Sequence, residues 1–158
     1  MRDGQPGVGR EAVPKEIRWA ILILGILILV HLIVVPVMWV QRIEIARSIS
    51  ASNPNLSPDE IVFVQNATLI ASIVFHLVFA ALYAWMAFKI HAGRRWARNV
   101  LTVALIIGAL ASAVSFSLSS MFRALIPISG LLQIAVIALL WVPRPSRAYF
   151  AAARCRNA

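Results

Sequence analysis

Four long apolar runs constrain the fold of this 158-residue chain more than any other feature. They lie near residues 19–40, 66–88, 99–119 and 124–142. An α-helix needs about 20 apolar residues to cross the roughly 30 Å hydrocarbon core of a bilayer. Since lipid cannot satisfy backbone N–H and C=O groups, each run must be helical. We therefore predict an all-α protein, a four-transmembrane-helix bundle, and its 61% hydrophobic content agrees with that.

The distribution of basic residues orients the bundle. Of the 15 Lys and Arg residues, 12 lie in the tail 1–18, in the link between spans two and three, and in the tail 143–158. The outer loop 41–65 and the link between spans three and four hold the other three. Lys and Arg accumulate on the cytoplasmic side of membranes. The membrane domain 19–142 is thus predicted to lie in a plasma membrane with both termini cytoplasmic.

The basic segments also carry the aromatic residues expected of inner-interface lipid anchors. Each Lys or Arg contributes on the order of 1 kcal/mol next to anionic head groups. Nucleic acid is the weaker interpretation of the charge, because the basic residues lie at three separate membrane edges. Tyr149 and Phe150 are predicted to lie on the same interface in a short amphipathic segment. The predicted anchors are Arg94, Arg95, Trp96, Arg98, Trp141, Arg144 and Arg147.

Helices one and two are predicted to extend beyond the membrane as an outer hairpin. Ser57-Pro58-Asp59-Glu60 has the pattern of a capping box with Pro at the first helical position. The second helix then runs from Pro58 to about Ile90, or roughly 50 Å. Helix one can continue past Ile43 until Asn53-Pro54-Asn55 breaks it. The hairpin is either a longer linker or a docking surface for a partner.

The centres of the spans contain neutral polar residues and no Asp, Glu, Lys or Arg. Ion-coupled transporters usually carry a charged residue at membrane depth, so this argues against a small multidrug antiporter. The neutral groups either bond packed helices together or form an outward-facing pocket. The candidates for this network or pocket are His31, Gln65, Thr68, Ser72, His76, Ser112, Ser115 and Gln133.

Two of these candidates, His31 and His76, are predicted to lie at similar depth on antiparallel neighbouring helices. Paired imidazoles can hydrogen-bond across helices or ligate haem iron or a metal. A third ligand is not evident, because His91 belongs to the cytoplasmic edge. The single cysteine, Cys155, excludes an internal disulfide and a dithiol redox pair. We therefore predict no bound metal or cofactor.

Two short stretches resemble those of a group of small four-helix membrane proteins common in actinobacteria. They are Gly93-Arg94-Arg95-Trp96-Ala97-Arg98 and the segment from Trp141 to Phe150. The resemblance covers most of the chain and implies the same topology in a bacterial plasma membrane. It implies no activity.

Three classes of function fit these observations. The first is a non-catalytic accessory or scaffold subunit that associates, or self-associates, through its helix faces and outer hairpin. The second is a small transporter or channel-like oligomer with an outward-facing polar pocket. The third is a haem- or quinone-linked redox protein that uses His31 and His76. No catalytic constellation is visible, so we predict no enzyme activity.

Overall fold

The computed structural model describes residues 13–115 and 120–155, with side chains for 13–112 and 125–152. Within this part the chain has six helices and no strand, which confirms the all-α part of the predicted fold class. Most of the predicted tail 1–18 and the end of the third run, at 116–119, lie outside the described residues. The helices are α1 (Lys15–Val40), α2 (Arg42–Ser52), α3 (Pro58–His91), α4 (Arg95–Ser115), α5 (Ser120–Trp141) and α6 (Arg144–Cys155).

Two helices, α1 and α3, are each long and apolar enough to cross a membrane. The segments Leu125–Trp141 and Arg144–Ala152 meet the same criterion only together, and they are bent by 61°. These helices fit a membrane protein in general.

Helix α3 begins and ends at the residues that its sequence indicates. The Ser57 hydroxyl accepts from Glu60 N at 3.4 Å, and the Glu60 carboxylate accepts from Ser57 N at 2.8 Å. Ser57 N and the Ser57 hydroxyl both donate to the Glu60 carboxylate, and these two hydrogen bonds hold the pKa of Glu60 below its usual value. At the other end Gly93 has a φ of 73°, and Arg94 N donates to Lys89 O at 3.0 Å, as in a Schellman motif. The predicted helix from Pro58 to about Ile90 is therefore confirmed.

The outer hairpin forms with one difference from the expectation. The first helix does not continue unbroken, because Gln41 departs from helical geometry with φ −86° and ψ 10°. A separate helix, α2, follows and packs against the start of α3. Gln65 Nε2 donates to the carbonyl of Arg42 at 2.7 Å, so α3 holds the chain at this break.

The main hydrophobic core lies toward the end of the bundle predicted to face the cytoplasm. It contains Leu24 of α1, Tyr83 and Met86 of α3, Leu101 of α4 and Leu140 of α5. A second, smaller cluster of Val34, Met38 and Leu69 lies toward the hairpin. Among the residues with described side chains, the larger cluster thus lies at the α6 end of the bundle.

The outward faces of the helices are apolar. Leu29, Ile33, Leu110 and Leu131 each expose more than half of the side chain. Soluble monomers rarely expose large contiguous apolar surfaces, whereas a lipid-facing helix must.

Helix α6 packs under the bundle. Tyr149 and Phe150 are buried in the main core, and the Tyr149 hydroxyl donates to the carbonyl of His91. The Ser146 hydroxyl donates to Leu139 O at 2.8 Å, across the bend between α5 and α6. The rings of Tyr149 and Phe150 thus face the main core, and the predicted position of this segment at the membrane interface stays a prediction.

Candidate functional site

His31 of α1 and His76 of α3 are in direct contact. Their Nδ1 atoms lie 2.7 Å apart, a hydrogen-bond distance, and the two ring planes are tilted by 51°. One Nδ1 must donate and the other must accept, so the two rings play opposite roles.

Aromatic side chains hold both rings in place. Tyr83 and Phe79 lie 5.5 and 6.0 Å from His31 between ring centroids. Phe75 meets His76 edge-on at 5.7 Å. Such contacts stabilise a particular ring orientation, so the pair is fixed by packing as well as by its hydrogen bond.

The pair lies in the wall of a cavity of about 380 Å³ between α1, α2, α3, α4 and α5. Most of the wall is apolar, with Leu27, Val34, Met38 and Phe75 among its residues. No Asp, Glu, Lys or Arg is found among the described residues that line it. The polar lining residues are His31, Ser48, Thr68, Ser72, His76, Ser112, Ser129 and Gln133.

Three of the lining hydroxyls already donate to their own helices. Thr68 donates to Val64 O at 2.8 Å, and Ser112 donates to Gly108 O at 2.8 Å. Ser129 donates to Ile126 O at 2.9 Å. Since each hydroxyl has one hydrogen, these three groups can only accept a hydrogen bond from a molecule in the cavity.

The structure brings six of the eight predicted polar residues to this cavity: His31, Thr68, Ser72, His76, Ser112 and Gln133. Gln65 does not line it, because its side chain binds the backbone at the hairpin break. The side chain of Ser115 lies outside the described part.

Ser48 and Ser129 also line the cavity and were not among the predicted site residues. Ser129 lies four residues before Gln133, one helical turn away, so its position on the same face could have been predicted. Ser48 could not, because its place depends on how α2 folds back against the bundle.

A second polar group lies beside the cavity, around Gly108. Tyr83 is fully buried and Gln133 is 4% exposed, and the Tyr83 hydroxyl and Gln133 Oε1 have no hydrogen-bond partner among the described residues. A Cβ atom at Gly108 would lie 3.1 Å from the Tyr83 hydroxyl and 3.6 Å from Gln133 Nε2. The two side chains therefore approach each other over Gly108, where an added Cβ would be a tight contact.

The Nδ1 atoms of the histidine pair lie closer together than those of a tetrahedral metal site. Two nitrogens bound to one tetrahedral ion lie about 3.3 Å apart, since each bond is about 2.0 Å. Here the 2.7 Å separation is that of a hydrogen bond between the nitrogens themselves. Among the described residues no group of three or more His, Cys, Asp and Glu side chains could hold an ion.

The predicted lipid anchors occupy two different environments. One of them, Arg98, is only 9% exposed, and its guanidinium lies 3.8 Å from the ring centroid of Trp141 and 5.2 Å from that of Phe150. Trp141 Nε1 donates to Thr102 Oγ1 at 3.0 Å, which fixes the indole. The Arg98 guanidinium thus packs against aromatic rings, and its predicted contact with head groups stays a prediction. The other six are exposed: Arg94, Arg95, Trp96, Trp141, Arg144 and Arg147.

No protein-family model, curated protein or solved structure matches this chain. The resemblance to small actinobacterial four-helix membrane proteins therefore stays a prediction.

Proposed function

We propose that the chain crosses the plasma membrane four times, with both termini in the cytoplasm. The lengths of α4 and α5, 21 and 22 residues, support this, because each helix extends about 30 Å. The outward apolar faces and the segregation of Lys and Arg support the same topology.

Cysteine labelling tests this topology in a Cys155→Ser background. We expect a membrane-impermeant maleimide to label Asn55→Cys in intact cells, and Ala92→Cys only after the cells are permeabilised. The reverse pattern would refute the orientation. Labelling of both sites from outside would show that α3 does not cross the membrane.

We propose that this membrane protein binds a small, uncharged, mainly apolar molecule in the cavity beside the histidine pair. The observation that carries the proposal is the cavity itself, about 380 Å³ of mostly apolar wall with His31 and His76 in it. Ligand pockets are typically apolar with a few placed polar groups, and this volume lies at the small end of their range.

The chemistry of the wall supports an uncharged ligand. A buried charge is costly unless an opposite charge or a metal pairs with it. The described lining residues supply no Asp, Glu, Lys or Arg side chain. We assign no catalytic step to the site, so binding is the proposed activity.

Thermal unfolding in mild detergent tests the cavity, with naphthalene as the probe. A molecule that binds only the folded state raises Tm in a saturable way. We expect this rise in the wild-type protein and in Val74→Phe, whose side chain is exposed on α3. We expect no rise in Ser72→Phe, which fills the cavity. A wild-type protein without a saturable rise would refute the proposal.

The second candidate is an accessory role in a larger membrane complex, and the outer hairpin favours it. None of the residues of α2 is buried. Phe63 in the first turns of α3 is 74% exposed, and Phe88 near the other end is 76% exposed, which makes Phe88 a matched control. We expect Phe63→Ser to abolish co-purification of a partner in mild detergent, and Phe88→Ser to leave it intact. Equal yields from both variants would refute a hairpin-dependent partner.

A further inference from the structure

We infer that the molecule bound in the cavity carries a hydroxyl group, as an alcohol or phenol on an apolar body, recognised by the Nε2 atoms of His31 and His76. This inference rests on the proposed function. It adds the chemical class of the ligand.

The hydrogen bond within the histidine pair fixes what the pair offers to a ligand. A neutral imidazole carries one proton on one of its two nitrogens. The ring that donates through Nδ1 therefore has a bare Nε2, and the ring that accepts has a protonated Nε2. Whichever ring takes which role, the Nδ1 contact of 2.7 Å leaves the pair with one outward donor and one outward acceptor.

Both Nε2 atoms are available for binding. Neither forms a hydrogen bond with the described residues, and neither is among the enclosed polar atoms that lack a partner. His31 and His76 both line the cavity. Because an unpaired polar group in an apolar site is costly, a bound molecule gains by pairing with these atoms.

A hydroxyl group matches this pattern better than a carbonyl or an ether group. It can donate to the bare Nε2 or accept from the protonated one, whereas a carbonyl or an ether can only accept. Thr68, Ser112 and Ser129 reinforce the preference, because their own hydrogens are already donated to backbone carbonyls. Toward the ligand these three side chains present acceptors only.

The ligand class can be tested with three probes that share one aromatic body: naphthol, its methyl ether and the corresponding methyl ketone. Each is titrated into the purified full-length protein in mild detergent, with isotope-labelled histidine followed by NMR. We expect naphthol to bind about tenfold more tightly than the ether or the ketone, as one net hydrogen bond implies. We expect it to shift the Nε2 signals of His31 and His76 and to leave that of His91 unchanged.

Variants assign the preference to the pair. His31→Phe should reduce the advantage of naphthol to less than about twofold, because the paired donor and acceptor are lost. If His31→Phe does not fold, His76→Asn replaces it in the test. This variant keeps a polar group near the Nδ1 position and removes Nε2, so it should also lose the preference for naphthol. The exposed His91→Gln is the control and should retain the full preference.

The outcomes separate this inference from the proposal on which it rests. Saturable binding of all three probes with equal affinity would overturn the hydroxyl class and leave a ligand-binding cavity. Preference for naphthol that persists in His31→Phe and His76→Asn would overturn the role of the pair. No saturable binding of any probe would overturn both the inference and the proposed function.

Discussion

Replacing His31 by Leu tests how much the histidine pair contributes to the stability of the bundle. The change removes the Nδ1 partner of His76 at 2.7 Å and leaves that nitrogen unpaired in a half-buried position. An unsatisfied polar group of this kind costs about 1–3 kcal/mol. The aromatic contact with Tyr83 at 5.5 Å is lost as well, at about 0.5–1.5 kcal/mol. We therefore expect the free energy of unfolding to fall by about 2–3 kcal/mol.

A double-mutant cycle isolates the contribution of the hydrogen bond. His76→Leu should cost about as much as His31→Leu, because it also leaves one nitrogen unpaired. The double variant has no histidine nitrogen left unpaired. Its loss in free energy of unfolding should therefore be about 1 kcal/mol smaller than the sum of the two single losses. His31→Asn retains a polar group near Nδ1 and should lose less than His31→Leu.

The assay is unfolding in mixed micelles with increasing SDS, followed by the fluorescence of the five tryptophans. His91→Leu is the control, since an exposed substitution of this kind changes stability by no more than about 0.5 kcal/mol. Strict additivity of the two single losses would refute a hydrogen bond between His31 and His76 in the folded protein.

Three further changes test other contacts by the same unfolding assay or by amide exchange. Arg98→Leu should lower the free energy of unfolding by about 1–2 kcal/mol, because the cation 3.8 Å from the Trp141 ring centroid is lost. Arg98→Lys keeps the charge and should give a loss between those of the wild type and Arg98→Leu. Gly93→Ala should cost about 1 kcal/mol, because a φ of 73° is unfavourable for a residue with a Cβ. Ser57→Ala should cost about 1 kcal/mol through loss of the N-cap and should speed amide exchange in the first turn of α3. The pKa of Glu60 is lowered in the folded protein, so the Glu60 carboxylate stabilises the fold at neutral pH. This stabilisation should disappear as the pH falls through the lowered pKa. Amide exchange in the first turn of α3, corrected for the intrinsic exchange rates, would show the loss.

The features of the fold that depend on local chemistry could be predicted from the sequence. The capping box at Ser57 and Glu60 sets the start of α3, and Gly93 sets its end, because each acts over a few neighbouring residues. Apolar run length likewise identified α1 and α3 as helices able to cross a membrane. Four-span topology stays a prediction.

The features that depend on how helices meet could not be predicted in the same way. The basic character of Arg98 indicated a head-group contact, and nothing in the local sequence showed that Trp141 and Phe150 would cover it. For the site, helical spacing placed Thr68, Ser72 and His76 on one face, whereas the cavity needs the approach of α2 and α5 as well. The contact between His31 and His76 required the relative rotation of two helices, which residue counting does not give.

The packing of α6 under the bundle has a consequence for the order of assembly during synthesis. A growing chain emerges from its N-terminus at about 5–20 residues per second. Because α1 and α3 pair directly, they can associate once His91 has been made. Phe150, which completes the core shared with Ile17, is added only after α4 and α5. The nascent protein therefore passes through a stage in which α1 and α3 are paired and the part of the core that Phe150 fills is still open.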